Sequence, residues 1–298
     1  LVELDCLAAF DCLQWLRTGE RAAQVVGCSQ STISRSTRKC QDTFQIKIAK
    51  REAEWQVQGD ATLLNAERRV HQVYRWSSGR PLRLESQHWL RSSYADLNLR
   101  GWIQGNFNYL EYARPLQLLH ERVIDAWLCS APDLPQSDAL SSIQLCRMPA
   151  LLVARRSHPL LQGGANVTLE NARRYPVDPL PAGAFPVFES MMTRLGFHND
   201  FSTLATMAEQ DGRDPRSCED LALAIASPLT VAAYGDDWAV LPLELPIVVG
   251  DALIVQTDFV DHPRTQELVQ QLSRRLRTVV GADASVQLLS ERPLGQRA

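Results

Sequence analysis

The stretch from Ala22 to Phe44, AAQVVGCSQSTISRSTRKCQDTF, limits what the rest of the chain can be, because it reads as two helices joined by a tight turn. Ala22 and Ala23 are small enough to let a crossing helix approach closely, Val25 and Val26 give the first helix an apolar side, and Gly27-Cys28 makes the turn. Ser29 is a good N-cap for the second helix, in which Ile33, Thr37 and Cys40 recur at helical spacing as a buried stripe. The opposite face holds Gln30, Ser31, Thr32, Ser34, Arg35 and Arg38. Short hydroxyl and amide side chains near a helix N-terminus suit base edges, and the arginines suit guanine or phosphate. A polar helix alone would more simply be a solvated surface helix. The paired helix, the tight turn and the local charge favour a DNA-facing one.

That charge is visible only when the chain is divided. Its net charge of -3 does not point to nucleic acid, yet residues 17–51 carry eight Lys or Arg against Glu20 and Asp42, a local +6. With 298 residues and 45% apolar content, the chain has material for two or three domains, each with a core. Upstream, Leu4, Leu7, Ala8, Cys12, Leu13 and Leu16 repeat with helical period and predict the first helix of a three-helix head, with Thr18 placed to cap the next. Downstream, Gln45–Trp55 suits a short wing in which Lys50 and Arg51 reach backbone phosphate.

The run AA-x-x-V-x-x-SQSTISR, with Leu7 and Phe10 before it, resembles the N-terminal domain of the LysR-type transcriptional regulators. There the residues matching Gln30, Ser31, Ser34 and Arg35 lie on the DNA-facing helix. The chain departs from the family after this helix, with Cys40-Gln41 in place of a Leu-Glu pair and Ile48-Ala49 in place of Leu-Phe. The resemblance implies a winged helix-turn-helix over 1–58, a linker helix and hinge over 59–79, and an α/β effector-binding domain over 80–298. It also implies double-stranded DNA with an inverted-repeat operator as a partner, a second copy of the chain in a homodimer or homotetramer, and RNA polymerase as a protein it would meet.

The linker segment ATLLNAERRVHQVYRW places Ala61, Leu64, Val70, Val73 and Tyr74 on one apolar side of a helix about four turns long, which the resemblance implies is paired with its copy. Ser77-Ser78-Gly79-Arg80-Pro81 then breaks it. Beyond, short strands are predicted at Leu82–Glu85, Leu99–Ile103, Ala126–Cys129, Ala150–Ala154, Val231–Ala233, Ala239–Leu241 and Ala252–Thr257. Helices are predicted at Pro115–Ile124, Glu189–Leu195, Cys218–Ala226 and Pro263–Val280. Segments such as RVIDAWL, PALLVARRSHPL and WAVLP again resemble the family's effector-binding domain. The implied body has two α/β subdomains like those of periplasmic binding proteins, the first from about 80–157 and 259–281, the second from about 158–258. A small effector of unknown identity would bind between them, against Ser86, Gln87 and His88, Ser130 and Ala131, and the turn Pro181–Phe185 with its Gly183.

Neither a zinc site nor a disulfide framework is indicated by seven cysteines without paired spacing, and a reducing cytoplasm is the simplest home. No stretch approaches a membrane span. An α/β enzyme is the contrasting hypothesis, but nucleophile-elbow, phosphate-loop, dinucleotide and zinc-protease motifs are absent, and Gly163-Gly164 reads as a loop. No catalytic residue, cofactor or metal is therefore expected. A third hypothesis keeps the DNA-binding head and makes the body a protein-interaction module.

Overall fold

The computed structural model describes residues 1–108, 110–162, 167–202, 204 and 220–289. The predicted caps at Thr18 and Ser29 and the turn at Gly27 bound the helices as expected. Helix α1 (Leu4–Leu16) is followed by α2 (Gly19–Val26), where the Thr18 hydroxyl accepts the Arg21 amide at 3.3 Å. Gly27, at φ 74°, ends α2 in a left-handed conformation that costs a glycine little. Helix α3 (Gln30–Phe44) begins with the Ser29 hydroxyl accepting the Thr32 amide at 3.2 Å. Cys6, Leu7 and Phe10 of α1 meet Cys40 and Phe44 of α3 in a small core closed by Ile46 and Leu64. Strands β1 (Lys47–Arg51) and β2 (Glu54–Gln58) form an antiparallel hairpin, so the helical head carries a β wing.

Helix α4 (Thr62–Ser77) does not present the single apolar side expected of it. Leu64 is buried in the head core, whereas Val70, Val73 and Tyr74 are exposed, together with Leu63. The buried face is mostly polar, with Arg68, His71, Gln72 and Arg75 beside Trp76. This inversion has a physical cause: partners are in place for these groups. Arg68 Nε donates to Asp11 at 2.9 Å, Arg75 to Asp125 at 2.9 Å, and Gln72 to Gln256 at 2.8 Å.

The body opens with β3 (Leu82–Ser86), α5 (Arg91–Tyr94), β4 (Trp102–Gln104), α6 (Ala113–His120), β5 (Ala126–Ala131), β6 (Leu140–Gln144) and β7 (Cys146–Pro149). Then come β8 (Leu151–Arg155), α7 (Pro159–Gln162), α8 (Leu169–Ala172), α9 (Pro186–Arg194), β9 (Ala224–Ala226) and β10 (Trp238–Val240). It closes with β11 (Val248–Gln256), α10 (Pro263–Val280) and β12 (Gln287–Leu288). Among the described residues, one sheet runs β12-β7-β11-β5-β3-β4 with β6 also on β11, and a smaller one runs β10-β8-β9. The long strand β11 is antiparallel to β5, and β3 is parallel to β4 and β5.

Several expectations need correction. Strand β8 already belongs to the small sheet and β11 to the large one, so the chain crosses near 150 and returns near 247, not at Ser157 and Asp258. Val231–Tyr234 is a 3-10 turn, where a strand was expected. The helix expected over Cys218–Ala226 ends in β9 instead, residues 218 and 219 lying outside the described set, as do Gly163 and Gly164. Strands β6 and β7 are additional. The helix expected over Pro115–Ile124 stops at His120, and Val123 and Ile124 enter the core beyond a left-handed turn at Arg122 (φ 60°).

The strand periodicity explains how head and body join. On β5, Ala126 and Leu128 face a core shared with Leu268, Leu272 and Leu276 of α10, while Trp127 and Cys129 face the other way. On β11, Leu253 and Val255 alternate likewise with Ala252 and Ile254. The second face is covered by α6 and by the head itself, through Leu13, Trp15 and Leu16 of α1 and Ala22 and Ala23 of α2. Head and first lobe therefore share one hydrophobic core.

Candidate DNA-binding face and effector cleft

Helix α3 buries Ile33, Thr37 and Cys40 and leaves Ser29, Gln30, Ser31, Ser34, Arg35 and Arg38 exposed, with Thr32 half-covered. Ser29 Oγ lies 2.8 Å from Ser31 Oγ and 2.9 Å from Thr32 Oγ1, so the hydroxyls form one cluster at the first turn of α3. Arg35 donates to Thr32 at 3.2 Å, a contact made at the surface. At the tip of the wing, Lys50 and Arg51 are exposed and make no ion pair among the described residues. Their hairpin turn is Glu52-Ala53, with φ 48° and 67°, a left-handed pair as two-residue hairpins require. This end of the wing is fastened to the fold from its second strand: Glu54, opposite Arg51 in the hairpin, pairs with Arg17 and, at 3.2 Å, with Arg114. The expected DNA-binding residues thus divide between an exposed helix face and the exposed first strand of the wing, with none of them buried.

Behind this face the head is held by buried polar contacts. Asp11 of α1 accepts from Arg68 of α4 and, at 3.3 Å, from Arg83 of β3, so one carboxylate ties together head, linker and body. Arg68 is fully buried and also meets Glu121 at 3.0 Å and Gln14. Trp15 Nε1 donates to Glu85 Oε2 at 2.7 Å. Burial pushes the Glu85 carboxyl up to about 7, against the lowering effect of the hydrogen bonds from the Ser86 amide and Trp15.

Between the two sheets of the body lies a cleft of about 620 Å³, of the size that encloses a small organic molecule. Of the residues expected to line it, His88, Ser130 and Ala131 do so. Ser86 and Gln87 do not; they are buried under the strand ends, the Ser86 amide on Glu85 and the Gln87 side chain accepting the Ser130 amide at 2.8 Å. Gly183 packs instead against Glu111, outside the cleft. The displacement follows from the short first helix: a 3-10 turn at His88–Leu90 continues directly into α5, so the wall begins two residues later than the strand end.

Of the groups that dominate the cleft, the sequence singled out only Phe185, at the end of the Pro181–Phe185 turn. Phe185 and Phe188 at the start of α9, Trp89 stacked on Phe185 at 5.9 Å, and Tyr234 supply aromatic walls. Asp251 of β11 accepts from Tyr94 Oη at 2.7 Å, and burial pushes its carboxyl up to about 6. Asp133 accepts the Val187 amide at 2.7 Å and the Phe188 amide at 3.3 Å, capping α9 from across the cleft. Burial likewise raises its pKa. A signal for Asp251 was present in GDALIV, a lone acid entering an apolar strand; Asp133 had none, since its partner is some fifty residues away in sequence.

No protein-family model and no curated protein matches the sequence. Solved structures do. Full-length OxyR from Pseudomonas aeruginosa, in a cysteine variant, aligns at a TM-score of 0.56 with 14% identity, over 93% of this chain and 95% of that one. The probable transcriptional regulator PA0477 from the same organism aligns at 0.51 with 17% identity, over 92% and 97%. CbnR, a LysR family transcriptional regulator, aligns at 0.47 with 15% identity over 92% and 99%, a likeness too low to weigh. The chain therefore shares the fold of the full-length OxyR and PA0477 structures: a three-helix head with a β wing, helix α4 and a two-lobed α/β body.

Proposed function

We propose that this protein is a LysR-type transcriptional regulator: it binds double-stranded DNA through α3 and the wing, and a small effector in the cleft biases that binding. The observation that carries the proposal is the exposed, hydroxyl- and arginine-bearing face of α3 on a head whose other side is built into the core of an effector-sized, two-lobed body. In this reading Gln30, Ser31, Thr32, Ser34 and Arg35 read bases, and Ser29, Arg38, Lys50 and Arg51 position the backbone. The exposed residues Leu63, Val70, Val73 and Tyr74 of α4 then find cover in a second copy, which pairs two heads on an inverted repeat. Among the described residues no helix is long and apolar enough to cross a membrane, which accords with a cytoplasmic role.

The body would act by linkage and not by catalysis: an effector favouring one lobe arrangement by ~1–3 kcal/mol changes DNA affinity by the corresponding factor. The test is selection of bound sequences from random duplexes, followed by affinity measurement against salt. A recovered inverted repeat, bound with log K falling steeply in log salt, supports the reading; binding of no duplex, or binding indifferent to salt, overturns it.

A further inference from the structure

Resting on the reading of the cleft as an effector site, we infer that its ligand is an apolar organic cation, an amine on an aromatic or aliphatic body, whose N–H groups are directed at Asp251. The carboxylate is 1% exposed and lines the cavity. Its Oδ2 is taken by Tyr94, whereas Oδ1 receives no hydrogen bond, and no Arg or Lys forms an ion pair with it among the described residues. A buried carboxylate with half its acceptor capacity unused and no countercharge is a costly arrangement, and a ligand ammonium supplies both missing elements.

The rest of the cleft points to the same charge. An anion would ordinarily be drawn to the N-terminus of α9, which faces the cavity, but the first amides of that helix are already given to Asp133. A ligand carboxylate would therefore enter beside two buried acids and find the helix end occupied. Of the basic side chains on the cleft wall, Arg91 is exposed at its rim and forms no ion pair with Asp133 or Asp251 among the described residues, and His88 has its Nδ1 3.0 Å from the Phe107 carbonyl. The faces of Trp89, Phe185, Phe188 and Tyr234 attract a cation as well as an apolar surface. With Leu180, Leu229 and Val249 they leave room for a bulky body.

The experiment titrates the full chain with three probes of similar shape, naphthylethylamine, naphthylethanol and naphthylpropanoate, by calorimetry. The amine should bind at least about tenfold more tightly than the acid, as expected for a charge-assisted hydrogen bond in a desolvated site. Asp251→Asn should reduce the amine to the affinity of the alcohol and leave the alcohol nearly unchanged. Leu229→Trp, which fills the cavity from a half-buried wall position, should weaken all three. If Asp251→Asn does not fold, the wild-type ranking and the Leu229→Trp variant still decide. The inference fails if the acid binds most tightly, if the amine does not bind, or if amine binding survives Leu229→Trp. An acid that binds the cleft and changes DNA affinity would overturn the cation and keep the regulatory reading. An amine that binds the cleft without changing DNA affinity would keep the cation and count against regulation.

Discussion

Asp11→Ala should be among the most damaging single substitutions in the molecule, although the side chain removed is small and far from any DNA contact. Asp11 is 1% exposed and faces two arginines, Arg68 at 2.9 Å and Arg83 at 3.3 Å, both themselves buried. Without it, Arg68 keeps Glu121, which is partly solvated, and Arg83 keeps the Val123 carbonyl at 2.8 Å. Removing one partner of a buried ion pair costs ~3–5 kcal/mol because the other charge stays desolvated, and here one carboxylate serves two guanidinium groups. That is roughly a fifth or more of the ~5–15 kcal/mol that holds a typical domain together. The internal control is Asp5–Arg80, an equally direct pair at 2.7 Å with Asp5 79% exposed, for which ~0–1 kcal/mol is expected. Urea denaturation followed by circular dichroism measures both. Because head and first lobe share a core, the loss should appear as one earlier transition. If Asp11→Ala costs no more than Asp5→Ala, the claim that this carboxylate fastens three parts of the chain is wrong.

The pH dependence has a definite sign. Glu85 takes up its proton near pH 7 in the folded protein and near 4.5 when unfolded, so between those values the native state binds more protons and stability rises as the pH is lowered. A gain on the order of 1 kcal/mol per unit is expected below about pH 7, reinforced below about 6 by Asp251, and Glu85→Gln should flatten the first part in urea titrations at several pH values. Arg35→Ala should cost ~1–3 kcal/mol on cognate DNA and less on random duplexes, whereas Lys50→Ala should weaken both alike in a fluorescence-anisotropy titration. Val70→Asp with Val73→Asp, both exposed in the protomer, should leave the fold intact and reduce self-association in light scattering. Leu64→Asp should instead unfold the head, because Leu64 is fully buried there.

What could be read in advance followed from local chemistry. The Ser29 and Thr18 caps, the Gly27 turn and the Ile33-Thr37-Cys40 stripe act within a few residues of themselves, and the head follows from them. Strand β3 shows where this stops. LRLE alternates as a half-solvated strand would, but Arg83 and Glu85 are covered by a head that precedes them by some seventy residues, and nothing in the alternation distinguishes water from Asp11 and Trp15. The same ambiguity inverted α4, where Arg68, Gln72 and Arg75 look like an outer face and are an inner one. The cleft was placed from the strand ends, which brought in His88, Ser130 and Ala131. Ser86 and Gln87 missed it because the wall follows a 3-10 turn, and Gly183 because its loop leans on Glu111.

The shared core also sets an order of events during synthesis. Trp15 and Leu16 leave the ribosome well before Leu118, Trp127 and Ile254 of the same core, which follow roughly 100 to 240 positions later, at ~5–20 residues per second a delay of many seconds. Through that interval the nascent head can close its own small core around Phe10 and Phe44, but the side of α1 destined for β5 and β11 stays open to water. Such a surface is what general chaperones bind. Strand β11 completes a segment made roughly 240 residues before it, so a chain halted between the two carries a head that is formed but not yet seated.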